Sequence, residues 1–319
     1  MKPMQIDIAV HEVLAEIDAT STPANEVLNS YTRARRYIGS KDRKILTQKV
    51  WDMLRARPTP QWIQKLISQK ELDAMNQPAP FVLRANGNRA VIQQQLAQQG
   101  IETQVTPLSP IGLICTKRVD LNTNSLYKNG LIEVQDEGSQ LVALATGIKA
   151  NDTVLDYCAG AGGKSLCFAQ MMQGHGKIVA HDISKRSLQE LQKRARRAGA
   201  SIETTLYPKG EFSHVVVDAP CSGSGTWRRC PDAKLKLTQQ QVKNLVKLQA
   251  EILDQAARFV APNGKLHYMT CSLFEQENQL QMRSFLKTHM NFRLLHHQQW
   301  TPAVTHTDGF FLASFERNV

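Results

Sequence analysis

Cys221, in Asp218-Ala219-Pro220-Cys221-Ser222-Gly223, and Cys271, in Thr270-Cys271-Ser272, each follow a strand-like run, His214 to Val217 and Lys265 to Thr270 respectively. An open α/β sheet binds its ligands outside the carboxyl ends of its strands, so both thiols fall where reactive groups belong. A lone cysteine at such a point is ordinarily packing. Two, each in a polar turn rich in serine, point to covalent chemistry. Carbon 5 of cytosine, for example, is a poor nucleophile until a thiolate adds to carbon 6 and pushes electron density onto it.

A cofactor loop lies upstream. Val154-Leu155-Asp156-Tyr157 runs into Cys158-Ala159-Gly160-Ala161-Gly162-Gly163-Lys164-Ser165 and then an apolar helix. Small residues there let backbone amides approach a ligand beside a helix N-terminus. Three ligands compete. A P-loop requires glycine where Cys158 stands, and a dinucleotide fingerprint starting at Gly160 requires glycine where Ser165 stands. Lys164-Ser165 and Val215-Val216-Val217-Asp218 nevertheless look like parts of a nucleotide hydrolase. S-adenosylmethionine needs a carboxylate for its ribose hydroxyls, and Asp182 ends the next strand candidate, Lys177 to His181. That spacing suits any ribose-bearing cofactor, and Asp182 is equally a helix N-cap candidate.

These groups must be carried by a sheet. Strand candidates at Thr153 to Tyr157, Lys177 to His181, Ile202 to Leu206, His214 to Val217 and Lys265 to Thr270 alternate with helix-length segments, which predicts a doubly wound α/β sheet. Gly309 to Phe315 reads as a further strand at an antiparallel edge. Thr238-x-x-Gln241 and Ser272-x-x-Glu275 read as capping boxes. Residues 1–75 read as basic helices, with Thr22-Pro23 as a helix start; 76–128 read as a small α/β subdomain; and 129–319 as the catalytic domain. With 319 residues, 42% of them hydrophobic and 21% charged, the chain has ordinary globular composition, which excludes disordered and fibrous classes. No apolar run is long enough to span a bilayer, and six scattered cysteines without a C-x-x-C pair predict reduced thiols and no metal.

The ordered set Cys-Ala-x-x-Gly-Gly-Lys, Asp-Ala-Pro-Cys-Ser-Gly and Thr-Cys-Ser resembles the RsmB/Nop/NSUN family of RNA cytosine-C5 methyltransferases. Val134-Gln135-Asp136-Glu137-Gly138-Ser139-Gln140, Arg228-Arg229-Cys230-Pro231-Asp232-Ala233-Lys234, Glu277-Asn278 and Asp308-Gly309-Phe310-Phe311 extend the likeness. The resemblance implies a Rossmann-like seven-stranded methyltransferase sheet that binds S-adenosylmethionine through Cys158, Ala159, Gly160, Ala161, Gly162, Gly163, Lys164, Asp182 and Asp218. It implies Cys271 as the nucleophile, Cys221 as the residue that assists release, Asp218 as the group holding the cytosine, and Lys164 in the same pocket. One expected residue is missing. The family's aspartate after the third strand has no counterpart in Ile202-Glu203-Thr204-Thr205-Leu206-Tyr207, so backbone groups or Tyr207 are expected to hold the adenine, with lower cofactor affinity.

Lys and Arg number 39 against 28 Asp and Glu, a formal charge of +11, which favours a polyanionic partner. Nine basic residues lie between Ser30 and Pro60 against two acids. Arg33, Arg35, Arg36, Lys41 and Arg43, with Arg228 and Arg229, are the expected RNA contacts, the segments Lys185 to Arg197 and Arg228 to Lys247 contributing more. Such contacts position RNA without reading its sequence, so ribosomal and transfer RNA remain equal candidates. The expectation is a cytoplasmic, monomeric enzyme with no membrane or metal partner. A non-catalytic RNA-binding or ribosome-assembly factor, a P-loop-like nucleotide hydrolase, and a DNA cytosine methyltransferase using Cys221 remain the alternatives.

Overall fold

The computed structural model describes residues 1–318. The chain opens with helices Pro3–Ala19, Ala24–Ala34 and Ser40–Ala56, whose apolar stripes (Val10, Val13, Ile17; Val27, Tyr31; Leu46, Val50, Leu54) close a core of their own. The Thr22-Pro23 start is held differently from expectation. No side chain of the helix caps it; the amide of Ala24 donates to Asp232 Oδ2 at 3.0 Å, and Lys236 Nζ donates to the Thr22 carbonyl at 2.6 Å. The first orphan amide of the helix is thus satisfied by Asp232, 208 residues away along the chain.

A small antiparallel sheet follows, in the order β2-β3-β1-β4, built from β1 (Phe81–Ala85), β2 (Thr103–Val105), β3 (Gly112–Cys115) and β4 (Ile132–Val134). β4 lies beyond residue 128, where the subdomain was expected to end; three residues are too few to show a period.

The large sheet contains β5 (Thr153–Asp156), β6 (Lys177–His181), β7 (Glu203–Thr205), β8 (Phe212–Asp218), β9 (Val260–Thr270), β10 (Phe292–Trp300) and β11 (Phe310–Arg317), ordered β10-β11-β9-β8-β5-β6-β7. β7 to β9 run parallel through β6, β5 and β8, while β11 and β10 are antiparallel additions. Alternation along β8 dresses both faces. Val215 and Val217 meet Leu253, Ala257 and Phe315, whereas Val216 meets Phe168, Met269 and Leu312. Burying each such side chain contributes about 1.5–3 kcal/mol. β11 is antiparallel as expected but is not the edge, because β10 covers it. The run Leu295-His296-His297-Gln298 in β10 is exposed, so no apolar alternation announces the strand. The Thr238 capping box forms. The Ser272 box does not, since Ser272 Oγ is taken by Glu277 Oε2 at 2.5 Å. Among the described residues, no helix is long and apolar enough to cross a membrane.

A buried polar chain crosses the sheet at a distance from the motifs. His214 Nδ1 lies 2.9 Å from His267 Nε2, His267 Nδ1 2.9 Å from Ser314 Oγ, and His214 Nε2 3.3 Å from Asp152 Oδ2. Burial pushes His214 from 6.5 down to about 4, with Asp152 opposing and Lys265 and Lys149 assisting. Burial, then His214, Lys265 and His296, hold His267 well below its ordinary value. Unfolding exposes both rings to protons they cannot accept when folded. Their stabilisation is therefore complete above pH 6.5 and is lost as pH falls toward 4. Denaturant midpoints should decline across that window, and His267→Gln should flatten the decline.

Candidate active site at the carboxyl ends of the parallel strands

Strand order reverses at β5, whose parallel neighbours β6 and β8 lie on opposite sides, so a crevice opens outside its carboxyl end. The glycine loop fills the near side. Gly160 and Gly162 have φ of 52° and 84°, and a Cβ on Gly162 would lie 2.5 Å from Leu191 Cγ. Only glycine permits that turn to pack on the helix Lys185–Arg197. Around the Cβ positions of Gly160 and Gly163, by contrast, no atom lies within 4 Å, so the backbone faces open space.

The loop residues expected to hold a cofactor divide accordingly. Ala159 is packed with Leu166 and Leu191, the Ala161 carbonyl accepts from Arg194 Nη1 at 2.7 Å, and burial followed by Asp156, Asp218 and Asp182 pushes the Cys158 thiol far up. Asp182 Oδ2 accepts from the Gly160 amide at 2.9 Å and Oδ1 from the Ser184 amide at 2.8 Å. Ser184, not Asp182, is the cap of the following helix. Ile183, next along the chain from Asp182, is 93% exposed, and Tyr207, just after β7, is 78% exposed. Glu203 is paired with Lys177 at 3.0 Å and supplies no carboxylate there. Asp156, missed in the sequence, is wholly buried; its Oδ2 accepts from Ser165 Oγ at 2.6 Å, while Oδ1 has no partner among the described residues. Burial raises its carboxyl to about 7, Ser165 and Lys164 opposing and Asp218 and Asp182 adding. An orphaned buried acceptor, a ribose-height carboxylate, open glycines and uncovered apolar side chains together fit a cationic, ribose-bearing cofactor.

On the far side the reactive groups converge. Lys164, in the first turn of the helix Gly163–Met171, is buried and donates from Nζ to Asp218 Oδ2 at 2.5 Å, 5.1 Å from the Phe310 ring centroid. Burial opposes its charge but is outweighed by Asp218, with Cys271 and Asp156 adding, so Lys164 stays protonated. The sulfurs of Cys221 and Cys271 are 3.4 Å apart. The Cys221 thiol is held well above its usual range by its hydrogen bond to Cys271, then burial, the charge of Cys271 and that of Glu277. Behind them, the Gly225 amide donates to the Cys271 carbonyl at 2.9 Å, and Gly309 packs against Gly225 with Phe310 next in line. The motif carrying Phe310 was visible in the sequence, but its place under Lys164 was not.

The basic residues require a correction. Arg228 is buried away from RNA, and Arg229, its side chain 30% exposed, is held in ion pairs within the protein. Arg228 is 5% exposed; its Nε donates to Asp308 Oδ1 at 2.5 Å and its Nη1 to the His306 carbonyl at 3.0 Å. Arg229 binds Asp308 and, at 2.6 Å, Asp136 Oδ2. Two carboxylates offset two guanidiniums and join three distant segments. Lys234 is likewise buried, donating to Asn76 Oδ1 at 2.9 Å, and Arg194 and Arg197 are tied to buried Glu133. Of the N-terminal set, Arg33, Arg36 and Lys41 are exposed; Arg35 sits 3.6 Å over the Tyr31 ring and pairs with Glu12, and Arg43 Nε donates to the Ile38 carbonyl. Arg228→Met should lower unfolding free energy by about 3–5 kcal/mol because it unbalances buried carboxylates. Arg36→Ala should change it by less than about 0.5 kcal/mol. Denaturant titration of both variants measures the contrast.

Comparison with known proteins follows the same residues. The sequence profile of the 16S rRNA methyltransferase RsmB/F family matches residues 143–316. A Bacillus subtilis protein named probable ribosomal RNA small subunit methyltransferase B is 32% identical over 270 residues, covering 75% of this chain and 60% of its own length. Ribosomal RNA small subunit methyltransferase B of Vibrio cholerae is 31% identical, covering 80% of this chain and 64% of its own length. The chain therefore spans less than two thirds of these relatives. The crystal structure of PH0851 superposes with a TM-score of 0.78 at 26% identity, covering 92% of this chain and 76% of that one. NSun6 from Pyrococcus horikoshii, solved with SFG, shares the fold at a TM-score of 0.73 and 17% identity, covering 83% of this chain and 97% of that one.

Proposed function

Because the chain belongs to the 16S rRNA methyltransferase RsmB/F family, we propose that it methylates carbon 5 of a cytosine in small-subunit ribosomal RNA, with S-adenosylmethionine as donor. The observation that carries this is the pair of sulfurs 3.4 Å apart at the ends of two adjacent parallel strands, beside the Lys164–Asp218 pair. A single nucleophile would need one thiol; addition followed by elimination needs a nucleophile and a proton acceptor.

When bound, the cofactor supplies an electrophilic methyl group on a sulfonium. Asp182 and the open face at Gly160 and Gly163 would hold its ribose, Asp156 its ammonium end, and Ile183 with Tyr207 its adenine, without the usual carboxylate. Cys271 forms a bond to carbon 6 of the base, and the ring double-bond pair moves to carbon 5, which takes the methyl group. Asp218 holds the pyrimidine edge, and Lys164 offsets the negative charge that addition places on the ring. Once the Cys221 thiol has released its own proton to solvent, its sulfur takes the carbon 5 proton, which restores the double bond and expels Cys271 as a thiolate.

The target base must be unpaired or flipped to reach Cys271. Arg33, Arg36 and Lys41 are the exposed cations available to RNA phosphates, and ribosomal RNA as substrate implies a cytoplasmic enzyme. Labelled donor, purified protein and unmodified small-subunit or transfer RNA test the assignment, with nucleoside mass spectrometry identifying the product. Label in 5-methylcytidine of the ribosomal RNA is expected; label in another nucleoside, or none, refutes it.

A further inference from the structure

Resting on that covalent reading, we propose that Glu277 is the positioning residue that fixes the separation of the two sulfurs. Its carboxylate is 0% exposed and ties together the residues that follow each cysteine. Oε1 accepts from the Ser222 amide at 2.8 Å and from Gln249 Nε2 at 3.0 Å. Oε2 accepts from Ser222 Oγ and from Ser272 Oγ, each at 2.5 Å. Ser222 follows Cys221 and Ser272 follows Cys271, so one rigid group sets both turns.

Neighbouring bonds complete the clamp. Thr270 Oγ1 donates to Asn278 Oδ1 at 2.5 Å, and Asn278 Nδ2 donates to the Ser272 carbonyl at 2.8 Å, gripping Cys271 from both flanks. Ser224 Oγ lies 3.0 Å from Ser272 Oγ and accepts from the Leu273 amide at 2.8 Å. Among the described residues no cation is paired with Glu277, and four dipolar donors hold its buried carboxylate. Such a buried carboxylate is retained for geometry. Its charge also contributes to keeping Cys221 protonated, behind the effects of Cys271 and burial.

Two variants separate shape from charge. Glu277→Asp keeps the charge but withdraws the carboxylate by one methylene; Glu277→Gln keeps the shape but turns one end into a donor that both serine hydroxyls must then accept. The turnover rate should fall by about a hundredfold in the first and about tenfold in the second, as expected for sub-ångström to ångström misplacement of reacting groups. KM for RNA and cofactor affinity should stay within about threefold, since Glu277 touches neither ligand.

A geometric readout independent of methyl transfer is closure of the Cys221–Cys271 disulfide by diamide. The azo bond takes up two hydrogens as the two thiols join, and intact mass drops by about two daltons, the hydrogens lost per disulfide formed. The wild type should close rapidly and both variants several-fold more slowly, with folded thermal transitions retained. Wild-type closure and wild-type turnover in both variants would overturn the proposal. Slow closure in a protein that methylates nothing would leave the clamp standing and remove the methyltransferase assignment. If Glu277→Asp fails to fold, the isosteric Glu277→Gln decides by the same two measurements.

Discussion

Cys271→Ala abolishes methyl transfer and traps no covalent adduct, whereas Cys221→Ala leaves the protein covalently attached to its substrate. That is the expected pair of results under the roles proposed above. The Cys221 thiol is held well above its usual range by its hydrogen bond to Cys271, then burial, the charge of Cys271 and that of Glu277. Removing the nucleophile should cost roughly 10⁴-fold or more in rate, as for other covalent catalysts. Removing the base spares addition and methylation but blocks elimination, so a band at the summed mass of protein and RNA should persist in denaturing gels. With the roles exchanged, Cys271→Ala would be the variant that accumulates the adduct. With Cys221 a packing residue only, its alanine variant would turn over normally.

Legibility in the sequence followed the range of each constraint. The loop from Cys158 to Lys164 and the two cysteine turns were visible because local backbone geometry demands small or turn-forming residues within a few positions. Strands β5, β6 and β8 were visible because burial on both faces makes them continuous apolar runs. β10 was not, since an edge strand with exposed faces has no such run. The arginines illustrate the opposite error. Arg228 and Arg229 counted as positive surface because their partners, Asp136 and Asp308, lie 92 and 79 residues or more away along the chain. Local charge density cannot distinguish a solvated guanidinium from one sealed between carboxylates. Glu277 was part of a recognisable motif, but its function depends on two serines 55 and 5 residues away, which only the fold brings to one carboxylate.

Lys164→Met should reduce the rate by about 10²–10³-fold, the usual cost of removing one group that stabilises developing charge. Methionine preserves the apolar stem that fills the slot beside Phe310 and deletes the ammonium. Asp218 then loses its 2.5 Å partner, but its side chain keeps 32% exposure and can recover solvation, so the fold should survive with a modest loss of stability. Two consequences separate an electrostatic role from a merely structural one. Without the ammonium, the charge that addition places on the pyrimidine goes unopposed, and adduct formation in the Cys221→Ala background should slow by a comparable factor. Lys164→Arg should rescue poorly, because a buried slot shaped for a point charge does not admit a planar guanidinium. A Met variant whose adduct rate matches that of the parent would show that the ammonium serves Asp218 alone.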